Sequence, residues 1–258
     1  MRVLAPNPSP MTLEGTNTFV VGEPGATGVV VIDPGPADEG HTRRVVDACA
    51  GRRVELVLLT HGHIDHAEGA AAFAEAAGAP LAAADPALAG AGAPELGPGA
   101  TIEAGGLRLD CVPTPGHSGD HVVFVLGAER AAFSGDHVLG RGSTMIAWPD
   151  GDMRAYMDSL DALRGHRPVL ARLYPGHGPL VDDAPAKLAE YVAHRLERER
   201  EVLAALAAGD RTPAQIVARV YAAVPAVLHP AAERSVRAHL DKLVADGLVR
   251  ADGESFAP

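Results

Sequence analysis

The chain has 258 residues, of which 47% are hydrophobic and 21% charged, so it is long and apolar enough for one large folded domain and a smaller unit. This composition excludes a chain that is disordered throughout. A formal net charge of −11 and an aromatic content of 4% argue against a broad nucleic-acid-binding surface.

Short apolar runs bounded by turn residues predict strands along the first two-thirds of the chain. The expected strands are 18–21, 28–32, 54–60, 107–112, 121–126, 131–134 and 169–174. Helices are expected at 67–77 and 153–163, and Gly78 ends the first of them. Strands outnumber helices, yet helices recur between them. We therefore predict an α+β fold in which helices cover sheets.

The chain changes character after residue 183, where 185–208 predicts one long helix. Thr212-Pro213-Ala214-Gln215 has the pattern of a capping box, and a second helix is expected at 231–245. The Asp252-Gly253 turn then predicts a β-hairpin, so this tail is typical of a winged helix. The expected divisions are a catalytic domain 1–183, a connecting helix 184–209 and a winged-helix domain 210–258.

The strongest chemical signal directly follows the third predicted strand. In an extended segment alternate side chains share a face, so His61, His63 and Asp65 are expected to converge, with His66 at the turn into the next helix. Burying so many polar ligand groups together is costly without a metal ion. Imidazole and carboxylate ligands suit zinc, with iron and manganese as alternatives.

Three later loops each place one further candidate ligand beside a glycine, after a predicted strand. These ligands are His117, Asp136 and His177. Glycine beside a ligand lets the backbone approach a crowded centre. Either histidine alone is equally well explained as an ordinary loop residue. The repeated setting favours a centre of two ions, because one ion cannot take every ligand and keep an open position.

These motifs, in this order, resemble those of the metallo-β-lactamase-fold hydrolases. The resemblance implies a four-layer αββα sandwich and seven ligands around two divalent ions. The first ion would be held by His61, His63 and His117, the second by Asp65, His66 and His177, with Asp136 bridging both. It also implies hydrolysis by a metal-bound hydroxide, with Zn²⁺ the expected ion and Asp65 a catalytic residue that orients the nucleophile or relays its proton.

One subgroup of that family is similar along nearly the whole chain. It is typified by the mitochondrial β-lactamase-like endoribonuclease and its bacterial relatives. The similar segments are 7–18, 117–121, 135–140, 156–160, 174–179 and 191–195, together with the winged-helix tail. The bridging Asp136 and this tail argue against β-lactamase and glyoxalase II activity. The subgroup includes enzymes that cleave single-stranded RNA and others that hydrolyse thioesters, so membership does not fix the substrate.

Three hypotheses about function follow. The first is cleavage of single-stranded RNA, although residues 212–258 carry five basic and five acidic side chains and thus no net charge. The second is hydrolysis of a small thioester or lactone. The third is a non-catalytic docking role for the winged helix, against which the complete ligand set argues.

Other residues are expected around the centre. Candidate substrate contacts are Ser143, Thr144, His194 and Arg195, although a surface ion pair explains Arg195 nearly as well. Asp33 resembles a family position behind the metal ligands, and capping of a turn explains it equally well.

The sequence also bears on the cellular location. Residues 1–8 contain two prolines and no apolar run of signal-peptide length, and no segment approaches the roughly 20 apolar residues that span a bilayer. We therefore expect no membrane partner. Cys49 and Cys111 lack the spacing of a ligand pair, and we expect them as buried thiols in a reducing cytoplasm.

Overall fold

The computed structural model describes all 258 residues, which form two compact units. The first unit comprises Met1–Thr114, Asp120–Gly142 and His166–Pro185. The second comprises Pro115–Gly119, Ser143–Gly165 and Ala186–Pro258. Of the seven predicted metal ligands, six lie in the first unit and His117 lies in the second.

The first unit contains two five-stranded sheets. The strands of the first sheet, in spatial order, are β1 (Arg2–Leu4), β2 (Asn17–Val21), β3 (Gly28–Ile32), β4 (Arg53–Leu58) and β5 (Leu81–Ala82). The first three strands pair antiparallel, whereas β3, β4 and β5 pair parallel. Parallel neighbours need crossover connections. These contain the helices α1 (Glu39–Ala48), α2 (Ile64–Ala67) and α3 (Ala70–Ala77).

The second sheet follows along the chain. It consists of β6 (Thr101–Ala104), β7 (Leu107–Pro113), β8 (Val122–Leu126), β9 (Ala131–Gly135) and β10 (Arg172–Pro175). The neighbours from β6 to β9 pair antiparallel, and β9 and β10 pair parallel. The connection between these parallel strands includes α4 (Met153–Gly165), which belongs to the second unit.

Both faces of β3 are buried, which explains its uninterrupted apolar sequence. Val30 belongs to a core that also contains Phe124 of the second sheet. Val31, on the opposite face, packs in a cluster with Val45 of α1 and Phe73 of α3. The first unit is therefore built of helix, sheet and sheet layers.

The second unit contains α4, most of α5 (Ala184–Ala207), α6 (Pro213–Val220), α7 (His229–Ala245) and a hairpin of β11 (Arg250–Asp252) and β12 (Ser255–Ala257). Leu206, Ile216, Leu240 and Phe256 lie in one buried cluster, which joins α5, α6, α7 and the hairpin. The predicted capping box forms at α6, where the Thr212 hydroxyl accepts from the Gln215 amide and the Gln215 side chain accepts from the Thr212 amide.

The structure departs from the predicted elements in two ways. Four elements, β1, α1, β5 and β6, occur where none is predicted, and the helix expected at 67–77 is two helices that begin at Ile64 and Ala70. No helix in the structure is at once long enough and apolar enough to cross a membrane.

Candidate metal centre

The candidate ligands of the first unit follow the carboxyl ends of three strands. His61 to His66 come after β4, Asp136 comes directly after β9, and His177 comes after β10. Two sets of three side chains in this unit each offer ligand atoms within 4.8 Å of one another. The sets are His61, His66 and Asp136, and Asp65, His66 and His177.

The prediction that His61, His63 and Asp65 share one face of an extended segment is wrong. The backbone of His63 is extended, with ψ of 144°, but His63 is the N-cap of α2, so Asp65 lies in a helical turn. Asp65 therefore reaches the cluster from the first turn of α2 and not from an extended segment. His61 Nε2 lies 3.0 Å from His63 Nδ1, whereas Asp65 Oδ2 lies 3.1 Å from Nε2 of His177.

Four side chains of the first unit converge with spacings that suit a metal ion. The Nε2 atoms of His66 and His177 are 3.4 Å apart, and Asp65 Oδ2 lies 3.4 and 3.1 Å from them. The two oxygens of Asp136 lie 3.5 and 3.2 Å from the same nitrogens. Atoms bound to a tetrahedral zinc ion at 2.0–2.1 Å lie about 3.3 Å from one another. These residues therefore fit a divalent ion.

The imidazoles also have the outer hydrogen bonds that are usual for metal ligands. His66 Nδ1 donates to Asp33 Oδ2 at 2.9 Å, and His177 Nδ1 donates to the Gly15 carbonyl at 3.2 Å. His61 Nδ1 lies 3.0 Å from Thr60 Oγ1, which in turn donates to Asp33 Oδ2 at 2.8 Å. Each ring thus uses one nitrogen to fix its orientation and directs Nε2 into the cluster.

Three side chains that contact the candidate ligands were either not predicted from the sequence or left with two explanations. Asp33 accepts a hydrogen bond from the buried His66. It therefore lies behind the metal ligands and does more than cap a turn. Thr16 Oγ1 donates to Asp65 Oδ2 at 3.0 Å. His121 Nε2 accepts from the backbone amide of Asp136 at 3.2 Å. Thr16 and His121 lie in the segments 7–18 and 117–121, which carry the family resemblance, and that was the signal available.

Electrostatics couples the acids and imidazoles of the cluster. Burial raises the pKa of Asp65, but His66 and His177 outweigh burial and lower it to about 2. Burial likewise opposes the shift at Asp136, yet His177 and His66 hold its pKa well below the usual range. The pKa of His177 is raised to about 9, because Asp136 and Asp65 outweigh its burial. Without metal, the carboxylates therefore retain protons on the imidazoles, and a divalent ion can replace those protons.

Close packing leaves room only for glycine at position 176. A Cβ atom at Gly176 would lie 2.4 Å from Asp136 Oδ1 and 2.6 Å from Cε1 of His66. Asn17, at the start of β2, fixes the same loop, because its Nδ2 donates to the carbonyls of Pro175 and Gly178 at 2.9 and 3.0 Å. The loop that carries His177 is thereby positioned from a distant part of the sequence.

The remaining candidates belong to the second unit. His117 Nδ1 donates to the Met145 carbonyl at 2.6 Å, which leaves the lone pair on Nε2, and Thr144 Oγ1 lies 3.0 Å from the same Nδ1. Ser143 is exposed and His194 is half-buried. Arg195 is only 2% exposed, so a surface ion pair is wrong for this residue.

The family model of the Metallo-beta-lactamase superfamily matches residues 11–177. The chain belongs to this superfamily. Residues 212–256 match the Beta-lactamase associated winged helix domain. These two matches, with the observed sheets and helices, confirm the predicted α+β metallo-beta-lactamase fold with a C-terminal winged helix.

Similar proteins include one named as a thioesterase. The Beta-lactamase-like protein 2 homolog of Caenorhabditis elegans is 33% identical, over 96% of this chain and 85% of that protein. The Atrochrysone carboxyl ACP thioesterase of Aspergillus chevalieri is 34% identical, over 87% and 74%. The crystal structure of a metallo-beta-lactamase family protein from Thermus thermophilus shares the fold, with a TM-score of 0.83 at 21% identity over 100% and 97% of the two chains. The prediction of a hydrolase is confirmed.

Proposed function

We propose that this member of the Metallo-beta-lactamase superfamily is a dinuclear metal-dependent hydrolase of small acyl substrates, thioesters or lactones. The observation that carries the proposal is the convergence of Asp65, His66, Asp136 and His177 at spacings of 3.1–3.5 Å. The proposed ligands are His61, His63 and His117 for one ion, Asp65, His66 and His177 for the other, and Asp136 between them. Zn²⁺ is the proposed ion, with iron and manganese as alternatives.

The chemistry divides between the ions and the side chains. When bound, two divalent ions lower the pKa of coordinated water to about 7 and stabilise negative charge on a substrate oxygen. The low pKa of Asp65, about 2, keeps its carboxylate ionised at neutral pH, so it accepts hydrogen bonds and does not donate them. Thr16 donates to Asp65 Oδ2 and limits its rotation. Asp65 is therefore the proposed catalytic residue that orients the nucleophile.

Ion pairs within the second unit favour an acyl substrate over RNA. A nucleic-acid-binding domain usually presents free basic side chains to phosphates. Here three of the six basic side chains within residues 210–258 already contact carboxylates. The pairs join Arg237 to Glu233 and Glu254, Lys242 to Glu199 and Asp246, and Arg219 to Asp210. A thioesterase among the relatives also supports the acyl substrate.

The four candidate substrate contacts differ in exposure. Ser143 is exposed, and we propose it as a polar contact for the substrate. Burial, with Arg195 and Arg198 nearby, lowers the pKa of His194 to about 4, so its proposed contact is that of a neutral imidazole. Thr144 and Arg195 are buried, and their contacts support a different role, developed below.

The test compares substrates and metals directly. Protein loaded with zinc, iron or manganese is assayed against acyl thioesters, lactones and single-stranded RNA, and metal content is measured per chain. We expect two ions and acyl hydrolysis, and Asp136→Ala or Asp65→Ala should reduce turnover by at least about 100-fold. Asp47→Ala, an exposed change on α1, is the matched control.

Each other outcome has a definite meaning. Near-normal turnover in metal-loaded Asp136→Ala would contradict the two-ion assignment. RNA cleavage that persists in that variant identifies a contaminating nuclease. RNA cleavage that the variant abolishes, without acyl hydrolysis by the wild type, would replace the proposed substrate with RNA.

The location and the domain boundaries are further proposals. Cys49 and Cys111 are free and buried, which supports a reducing compartment, and we propose the cytoplasm. The proposed domains are 1–183, the connecting helix 184–209 and 210–258. The family matches at 11–177 and 212–256 lie within the first and last of these.

A further inference from the structure

We propose that Arg195 is a positioning residue for the metal ligand His117, and that it acts through residues 144–148, called here the strap. The inference rests on the function proposed above, in which His117 binds one of the two ions. All of the contacts that carry it lie within the second unit.

The strap holds His117 through its ring and its backbone. The Met145 carbonyl accepts from His117 Nδ1 at 2.6 Å, and the backbone amide of Ala147 donates to the His117 carbonyl at 3.0 Å. Thr144 Oγ1 lies 3.0 Å from the same ring nitrogen. Such partners fix the tautomer and orientation of a ligating histidine. The position of the strap therefore decides where His117 Nε2 points.

Helices α5 and α7 hold the strap from its other side. Arg195 Nη2 on α5 donates to the Thr144 carbonyl at 2.5 Å. From α7, Ser235 Oγ accepts from the backbone amide of Ile146 at 3.1 Å. Trp148 Nε1 donates to Asp241 on the same helix at 2.8 Å. Residues 146 and 148 thus contact the helices, 145 and 147 contact His117, and Thr144 contacts both, since its carbonyl accepts from Arg195 and its hydroxyl lies beside the His117 ring.

Stability alone does not explain an arginine at position 195. The side chain is 2% exposed, and its guanidinium lies 5.0 Å from the ring centroid of Tyr156. Its Nε is buried and has no hydrogen-bond partner. An apolar side chain of similar length would avoid this desolvation cost. An apolar residue can supply neither the cation–π contact with Tyr156 nor the bond to the Thr144 carbonyl, and the second of these acts on the strap.

The same helix offers a matched control. Arg198 lies 5.3 Å from the ring centroid of Tyr221 and donates to a backbone carbonyl, that of Val220, at 3.2 Å. It therefore repeats the aromatic and carbonyl contacts of Arg195 without contacting the strap. Arg195→Met and Arg198→Met each remove an aromatic contact and a bond to a backbone carbonyl, and Arg198→Met also removes an ion pair with Glu201 at 2.8 Å. Only Arg195→Met removes a contact of residues 144–148.

The test measures metal retention rather than activity alone. Wild type and both variants are loaded with cobalt, their absorption spectra recorded, and the ions removed by titration with a chelator. In Arg195→Met we expect one of two ions to be released at about 10-fold lower chelator concentration, with an altered cobalt spectrum. Arg198→Met should release both ions as the wild type does.

A second variant guards against a folding defect. Thr144→Val removes only the hydroxyl beside His117, and we expect about 3-fold easier release of the same ion. Equal release from the two arginine variants, or wild-type retention in both Arg195→Met and Thr144→Val, would overturn the inference and leave the proposed function standing. A wild type that binds no metal would remove both.

Discussion

The buried carboxylate of Asp33 accepts hydrogen bonds from two residues at the metal centre, Thr60 and His66. It is 2% exposed and accepts from the backbone amide and hydroxyl of Thr60, both at 2.8 Å, and from His66 Nδ1 at 2.9 Å. A hydrogen bond to a charged group contributes about 1.5–3 kcal/mol. In Asp33→Asn the amide oxygen can still accept a hydrogen bond on one side. The amide nitrogen replaces the other carboxylate oxygen and, being a donor itself, faces donors of Thr60 or His66. We expect the free energy of unfolding of metal-free protein to fall by about 2–4 kcal/mol.

Urea unfolding, followed by circular dichroism in the presence of a chelator, measures this change. The same variant should bind metal about 10–100-fold more weakly, because His66 loses the partner that orients its ring. Asp47→Asn makes the same chemical change at an exposed position of α1 and controls for the loss of charge. A destabilisation below about 0.5 kcal/mol, as expected for a surface site, would refute the reasoning.

Two further predictions concern packing and pH. Gly176→Ala places a Cβ 2.4 Å from Asp136 Oδ1, so metal content should fall below two ions per chain and turnover by at least about 100-fold, whereas Gly165→Ala, with nothing within 4 Å, should retain both ions. Equal metal content in the two variants would contradict this. Although burial lowers it, the pKa of His177 is raised to about 9 by Asp136 and Asp65, so its contribution to metal-free stability is complete below pH 6.5 and is lost as pH rises through 9. The Tm should therefore fall over that range with chelator and not with zinc; parallel curves would count against it.

Apolar patterning predicted most strands because several of them, including β3, β8 and β9, are buried along their whole length. The run 28–32 forms β3 with the predicted bounds, and 107–112 forms β7 with one more residue. Both faces of β3 are buried, so hydrophobicity alone identifies it. The winged helix was predictable for a different reason, since the Thr212–Gln215 pattern specifies hydrogen bonds that form locally.

Elements with mixed composition escaped prediction. Helix α1 buries His41, Val45 and Ala48, a helical spacing of four and three residues, but polar residues dominate the remainder of its sequence. Strand β6 pairs with β7 across the Gly105-Gly106 turn, and that dipeptide was a usable hairpin signal. In α1 and β6 no two buried residues are consecutive along the sequence, so a search for continuous apolar runs does not detect these elements.

Residue chemistry predicted which side chains gather in the first unit but not how they are directed. Asp65 was misplaced because extension was assumed past His63, where α2 begins. Thr16 is 49 residues from Asp65, and Asp33 is 33 residues from His66, so only the tertiary fold makes them neighbours. Long-range partners of this kind leave no periodic trace in the sequence.

The linear distance between ligands has a consequence during synthesis. His66 and His177 are 111 residues apart, and Asn17 is 161 residues from Gly178, whose carbonyl it holds. At a translation rate of about 5–20 residues per second, the nascent chain spends roughly 5–20 s with the earlier imidazoles made and the later one absent. In the proposed assignment, capture of the ion held by Asp65, His66 and His177 therefore has to wait until residue 177 is made, and a ribosome stalled before that residue carries a chain that lacks part of its cation site.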